Sequence, residues 1–304
     1  MVPRSELDIF HVDAFTDTPF GGNPASVVLG ADRLDDEMLS KIAREMNTRE
    51  TVFVMESDKA NFYFRYLTPK SEIDFSGHPT IAAFHALIRE GLIETAKDVT
   101  MVSLETRAGI LDVEIVKNES TGRHEIQITH RKPVFLRTYD PKEYLKALGL
   151  TLADYHSPSP IQTVSTGTPH LIMPLSTMRA LDRIKPDWDK LKALQKDSDY
   201  VTVSVFTRET RAPTSDAQVR TFAPALGVYE DPVSGSAAGS IGCYLIRYGF
   251  IEPTRPVTSI VVEQGYHVGR PGRVFVEVHG DKEDIEQVKV SGTGVIVFKG
   301  KLSY

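Results

Sequence analysis

The apolar runs at 9–15 and 25–29 read as strands, separated by Asp17-Thr-Pro-Phe-Gly-Gly-Asn-Pro24, a stretch dense in turn formers. The period then changes. Leu34, Met38, Leu39, Ile42, Ala43 and Met46 recur at helical spacing. Asp35, Asp36 and Glu37 fall in that helix's first turn and Lys41 and Arg44 in its second half, the order its dipole prefers. Asn47 predicts its stop. Residues 51–55 and 62–67 read as strands. Beyond Asp74-Phe-Ser-Gly-His-Pro-Thr80 the pattern predicts a helix over 79–90, with Pro79 at the first helical position, where a missing N–H costs nothing. Strands dominate 99–128. A helical stretch over 139–149 follows, and Ser157-Pro-Ser-Pro160 breaks it. The remaining pattern predicts a strand at 171–175, a helix at 187–195, and strands at 200–206 and 218–222. After Glu230-Asp-Pro-Val-Ser-Gly-Ser-Ala-Ala-Gly239 a helix runs to about Tyr248, and strands continue to the end.

The chain repeats itself. Leu87-Ile-Arg-Glu-Gly-Leu-Ile-Glu94 matches Leu245-Ile-Arg-Tyr-Gly-Phe-Ile-Glu252 at an offset of 158, and nine of nineteen residues agree between 87 and 105. Arg65 and Pro69 fall on Arg220 and Pro224 at an offset of 155, and Gly22-Asn-Pro24 matches Gly167-Thr-Pro169. This is a long two-fold repeat of strands, one apolar helix and more strands, rather than a short-period solenoid. Both helices, Thr80-Ile-Ala-Ala-Phe-His-Ala-Leu-Ile and Ala237-Ala-Gly-Ser-Ile-Gly-Cys-Tyr-Leu-Ile, carry few charges on any face, which predicts that each is enclosed. Strands on both sides of each helix suggest a sheet curled around it, and small residues would permit close approach. We place the division between halves at 130/131, in or before the region of the Ser-Pro break. Residues 1–130 form the first half, with the C-terminal strand 290–304 packing there, and 131–289 form the second.

Composition narrows the function classes. A chain of 304 residues suggests two domains. With 35 Lys and Arg against 41 Asp and Glu, the net charge of −6 argues against nucleic acid as a partner. The single cysteine, Cys243, excludes an internal disulfide, a Cys-rich zinc site, an iron–sulfur cluster and any two-thiol mechanism within the chain. No run of 18 apolar residues suggests a membrane helix, and the first residues hold no apolar signal-peptide core. The expectation is a cytoplasmic protein with no membrane partner.

The repeat also aligns Gly77-His78 with Gly235-Ser236, each at the start of an enclosed helix. Such starts carry free N–H groups and partial positive charge, and they bind carboxylates or stabilise enolates. Two of them facing each other would line a pocket for an anion between the halves. The plainer alternative is that glycine makes the turn and His78 or Ser236 caps. Glu50 stands between a helix end and an apolar strand. Burial destabilises a carboxylate's ionised form, which suits a group that both takes and gives a proton. Its plainer alternative is a surface glutamate paired with Arg49. Asp231 reads as a turn residue that could orient His78 or bind a substrate amine or hydroxyl. His78 and His85 share a helix face with nothing to complete a metal set, so His85 reads as core. Gly292-Thr-Gly294 lacks the third glycine of a dinucleotide loop, and there is no Walker loop.

Five ordered motifs carry a resemblance that runs over essentially the whole chain. They are Asp13-Ala-Phe with Gly22-Asn-Pro24; Ala43-Arg-Glu-Met-Asn-x-x-Glu-Thr51; Thr68-Pro with Phe75-x-Gly-His-Pro79; the 230–239 segment; and Gln264-Gly with Gly269-Arg-Pro271. Together they resemble the PhzF family, the phenazine-biosynthesis isomerase and its relatives. The resemblance implies an α+β fold of the diaminopimelate epimerase kind, with two similar domains, each a barrel-like sheet around a central helix. It implies a cofactor-independent isomerase of a small carboxylate, acting as a homodimer. It implies that Glu50 is the general base and acid, assisted by His78 and Asp231, with Gly77, Gly235 and Ser236 binding substrate. The epimerase branch, by resemblance, uses a cysteine at each helix start. This chain has His78 and Ser236 there, which disfavours a two-thiol racemase; the alternatives are an amino-acid racemase or epimerase of another kind on the same fold, and a non-catalytic relative that binds a small molecule.

Overall fold

The computed structural model describes residues 6–95, 98–118 and 122–304. Residues 1–5, where the signal-peptide reading begins, lie outside them, as do 119–121 within the predicted strand region. The described elements begin β1 (Glu6–Ala14), β2 (Asn23–Leu29), α1 (Asp36–Met46), β3 (Thr51–Met55), β4 (Phe62–Leu67), β5 (Glu72–Ile73), α2 (Gly77–Arg89), β6 (Val99–Thr106), β7 (Gly109–Lys117) and β8 (His124–His130). They continue β9 (Val134–Tyr139), α3 (Pro141–Ala147), β10 (Ile161–Ser165), β11 (Pro169–Pro174), α4 (Met178–Asp182), α5 (Trp188–Gln195), β12 (Thr202–Thr207) and β13 (Ala217–Ala223). The last are β14 (Val228–Asp231), α6 (Gly235–Arg247), β15 (Thr258–Gln264), β16 (Gly272–Gly280), β17 (Ile285–Gly292) and β18 (Gly294–Ser303). The chain divides into two compact units, Met1–Thr129 with Ser291–Tyr304, and His130–Val290.

In the first unit β1 pairs antiparallel with both β2 and β18, and β2 runs parallel to β3. β4 is antiparallel to β3 and β5 and parallel to β6, and β6, β7 and β8 continue antiparallel. The second unit repeats this order. β10 pairs antiparallel with β9 and β11, β11 runs parallel to β12, and β13 is antiparallel to β12 and β14 and parallel to β15. β15 then pairs antiparallel with β16.

Each sheet holds one enclosed helix, as the all-round apolar pattern predicts. α2 packs against β1, β2, β3 and β18, and α6 against β10, β11, β15 and β16. Close approach depends on small residues. A Cβ added at Gly242 of α6 would lie 2.9 Å from Val276 Cγ1 on β16. The outer faces of the sheets are also covered. Leu39, Ile42 and Ala43 of α1 pack with Val28, Phe53 and Leu67. Tyr144, Leu145, Leu181 and Leu191 from the helices of the second unit pack with Leu171, Met173, Val203 and Phe222. Strands buried on both faces therefore read as continuous apolar runs rather than alternating ones.

The repeat extends to an ion pair. Arg65 grips Glu72 with Nε at 2.8 Å and a second nitrogen at 2.7 Å; Arg220 grips Glu230 at 2.9 and 2.8 Å. Both forks fasten the strand that precedes an enclosed helix. One boundary differs from the sequence reading. α2 begins at Gly77, so Pro79 is its third residue rather than its first. The first four N–H groups of a helix lack partners inside it, so proline fits there as well. Among the described residues, no helix is long and apolar enough to cross a membrane.

Candidate active-site residues

Glu50 sits between the end of α1 and the start of β3, and it is 6% exposed. Its backbone is held from below. The Thr48 hydroxyl lies 3.0 Å from the Glu50 carbonyl oxygen, 3.1 Å from Ser26 Oγ and 3.3 Å from Thr51 Oγ1. Its carboxylate reaches the start of α2. The Ser76 hydroxyl donates to Oε2 at 2.6 Å, and His78 Nδ1 lies 3.3 Å from the same oxygen. Arg49 Nε stands 3.5 Å from Oε1. The Arg49 contact and the buried position thus coexist, and the surface reading of Glu50 does not hold.

Ser76 is the N-cap residue of α2, yet its side chain makes no capping hydrogen bond. Its hydroxyl goes to Glu50 instead. The first turn of α2 carries no acidic residue. The N–H groups there, Gly77's included, are therefore not capped by Ser76 and add positive potential beside the carboxylate. Tyr66 lies beneath, fully buried, with its hydroxyl 2.7 Å from Thr80 Oγ1; burial, reinforced by the Glu50 charge, holds its phenol protonated.

The second unit builds a different group on the matching helix start. Ser234 caps α6 by accepting from the Ala237 N–H at 3.3 Å. Ser236 Oγ lies 3.3 Å from Ser234 Oγ and 2.9 Å from His170 Nε2. Asp231, the last residue of β14, is 6% exposed. Gln264 ties it to the helix. Its amide donates to the Asp231 carbonyl at 2.7 Å and its oxygen accepts from the Ser234 N–H at 3.4 Å. Gly265 follows with a φ of 92°. A Cβ there would come within 2.9 Å of the Pro232 carbonyl oxygen, so the turn needs glycine.

Of the residues singled out from sequence, Glu50, Gly77 and His78 form one cluster in the first unit. Asp231, Gly235 and Ser236 lie in the second. Ser76, His170 and Gln264 are polar partners to which the sequence reading assigns no site role, although Gln264 stands in one of its motifs. The 158 offset puts Ser76 on Ser234, a signal that was in the chain; His170 has no such signal, because Ala25 stands at its matched place. His85 lies within α2, and burial, with the nearby His124, holds its imidazole down to about 4. Cys243 is fully buried in α6 and its thiol is pushed up to about 12. No cluster suited to a metal occurs among the described residues.

A buried carboxylate beside an imidazole and a helix start can exchange protons with a bound acid, and relatives of the chain are named isomerases. Residues 12–300 match the PhzC-PhzF family, described as phenazine biosynthesis-like protein. An uncharacterized isomerase of Bacillus subtilis is 36% identical, over 96% of this chain and 97% of its own. The trans-2,3-dihydro-3-hydroxyanthranilate isomerase of Pseudomonas fluorescens is 32% identical, over 96% and 97%. The crystal structure of a Bacillus anthracis phenazine biosynthesis protein of the PhzF family superposes with a TM-score of 0.88, at 32% identity over 98% and 99%. The α+β fold is of the diaminopimelate epimerase kind, as the motif resemblance implied. The chain belongs to the PhzC-PhzF, phenazine biosynthesis-like family and is an isomerase.

Proposed function

We propose that the protein moves a proton within a small carboxylate, amino-acid-like or cyclic, without a cofactor, and that Glu50 serves as base and then as acid. The observation that carries this reading is the Glu50 carboxylate, buried and held by Ser76 at 2.6 Å with His78 at 3.3 Å. One carboxylate that lifts a proton and returns it on the same side of the substrate gives isomerisation rather than inversion. In this reading His78 and Asp231 bind the substrate and assist the transfer. Ser236, with the N–H groups of Gly77 and Gly235, holds the substrate carboxylate, for which helix starts are suited. The name of the Pseudomonas fluorescens relative supplies the first substrate to try. The reading carries with it a homodimer in the cytoplasm.

A thiol pair does not compete for this role. The chain's one cysteine is buried, and a thiol pushed up to about 12 is a poor base at neutral pH.

The test is the Glu50→Gln variant assayed with trans-2,3-dihydro-3-hydroxyanthranilate and a panel of small amino and cyclic carboxylates. The variant is expected to fold normally and to lose at least about 100-fold in kcat, the usual weight of a positioned acid–base group. Wild-type turnover by the variant would sink the assignment.

A further inference from the structure

We propose that His170 is a positioning residue that turns the Ser236 hydroxyl into a hydrogen-bond donor for the substrate's anionic group, by holding the Nε2–H tautomer and donating that proton to Ser236 Oγ. The inference rests on the reading above in taking the start of α6 as a carboxylate seat.

His170 is the second residue of β11 and is 1% exposed. Its two ring nitrogens face different company. Nδ1 meets the Thr202 hydroxyl and lies 3.2 Å from Ser204 Oγ, while Nε2 lies 2.9 Å from Ser236 Oγ. Ser204 Oγ is in turn 3.2 Å from Thr221 Oγ1. Hydroxyls gathered at Nδ1 can donate to its lone pair, and a ring nitrogen that accepts leaves the proton on the other. The proton then sits on Nε2 and points at Ser236.

The choice of tautomer decides what Ser236 offers. If Ser236 Oγ accepts from Nε2–H, its own proton is free to turn outward. Ser234 Oγ, 3.3 Å away, accepts from the Ala237 N–H as the cap of α6 and can give its own proton to Ser236, which leaves the Ser236 proton to the substrate. If the tautomer were reversed, Ser236 would donate to His170 and present only lone pairs at the helix start. Lone pairs there would repel the anion that the helix dipole attracts.

The repeat gives a second, independent observation. Matching Pro24 to Pro169 puts Ala25 at the place of His170. The parallel pair Ser26–Thr51 then matches Leu171–Val203, which puts Glu50 at the place of Thr202. One scaffold position pair thus carries Ala25 and Glu50 in the first unit, and His170 and Thr202 in the second. Of these two positions, one in each unit is ionisable and reaches that unit's own helix start, from just before β3 in the first and from β11 in the second. In the first it is a carboxylate beside Ser76 and His78; in the second it is an imidazole beside Ser236.

Nitrogen-15 NMR of the His170 ring in the wild-type protein tests the tautomer directly. The Nε2–H form is expected, with its Nε2 signal moved in Ser236→Ala. The Nδ1–H form, or an imidazolium at neutral pH, overturns the proposal. Binding of anthranilate, a stable aryl carboxylate, tests the consequence. Ser236→Ala and His170→Phe are each expected to weaken it about tenfold, the weight of one hydrogen bond to a charged group. The double variant should bind no more weakly than Ser236→Ala alone, because both changes remove one interaction. His170→Gln, whose amide N–H can stand in for Nε2–H, should restore most of the affinity and serves as the folding control. Independent losses, unchanged binding, or a wild type that takes no anthranilate at millimolar concentration would each overturn the anion role. Proton exchange by Glu50 is read separately, so its absence would count against the isomerisation reading without moving the His170 tautomer.

Discussion

Oε2 of Glu50 is shared between a hydroxyl at 2.6 Å and an imidazole nitrogen at 3.3 Å. That sharing sets the direction in which the carboxylate points. Ser76→Ala removes the shorter contact, and kcat/KM is expected to fall about tenfold, since hydrogen bonds to charged groups are the strong ones. The melting temperature should fall only a few degrees, because the Ser76 side chain contributes no cap to α2 and His78 and Arg49 remain beside the carboxylate. Steady-state kinetics beside a thermal melt checks both, and unchanged kinetics would remove Ser76 from the site. Cys243 gives the opposite kind of prediction. With its thiol buried and pushed up to about 12, the folded protein should resist iodoacetamide at pH 8, and mass spectrometry should find the adduct only after denaturation. At this scale the chain was partly legible. Glu50 stood out because a carboxylate bordered an apolar strand. Ser76 did not, because a serine before Gly-His reads equally well as an ordinary cap, and only tertiary contact turns its hydroxyl away from the helix.

Among the elements, α1 was the most readable. Asp35 caps it by accepting from the Met38 N–H at 2.8 Å, and Asn47 ends it at a φ of 48°. Both are local effects, and local effects are written in local sequence. The short pieces were not anticipated: β5 has two residues and α4 five, too few to show a period. α2 began two residues earlier than expected because proline is tolerated throughout a first turn. The fit of α6 against its sheet gives a sharp test. Gly242→Ala improves helix propensity by about 1 kcal/mol. It also drives a Cβ to 2.9 Å from Val276, and overpacking of this kind costs about 1–3 kcal/mol. The net effect expected is a lowered midpoint in urea. Gly77→Ala meets nothing within 4 Å and should leave the midpoint unchanged or raise it, by at most that propensity gain. A stabilised Gly242→Ala would mean that β16 gives way.

For the whole molecule, the repeat was visible because its two enclosed helices share sequence, and the strand order and the Arg–Glu forks match in the same way. Divergence between the units was invisible for the converse reason. Where Ala25 stands at the place of His170, no alignment of the halves can point to an imidazole. Buried histidines also set a pH dependence of stability. Burial holds His85 and His130 each down to about 4, whereas an unfolded histidine titrates near 6.5. Protonation therefore favours the unfolded chain. Their contribution is complete above about pH 6.5 and is lost as pH falls toward 4. Urea midpoints should decline from pH 7 to pH 4.5, and His130→Gln should flatten part of that decline; a level profile in the wild type would contradict it. Proton movement at Glu50 is read by proton NMR of trans-2,3-dihydro-3-hydroxyanthranilate with the protein in D₂O. Conversion, or exchange of a substrate C–H for deuterium, is expected with wild type, and neither with folded Glu50→Gln. Equal exchange by the two proteins would contradict it.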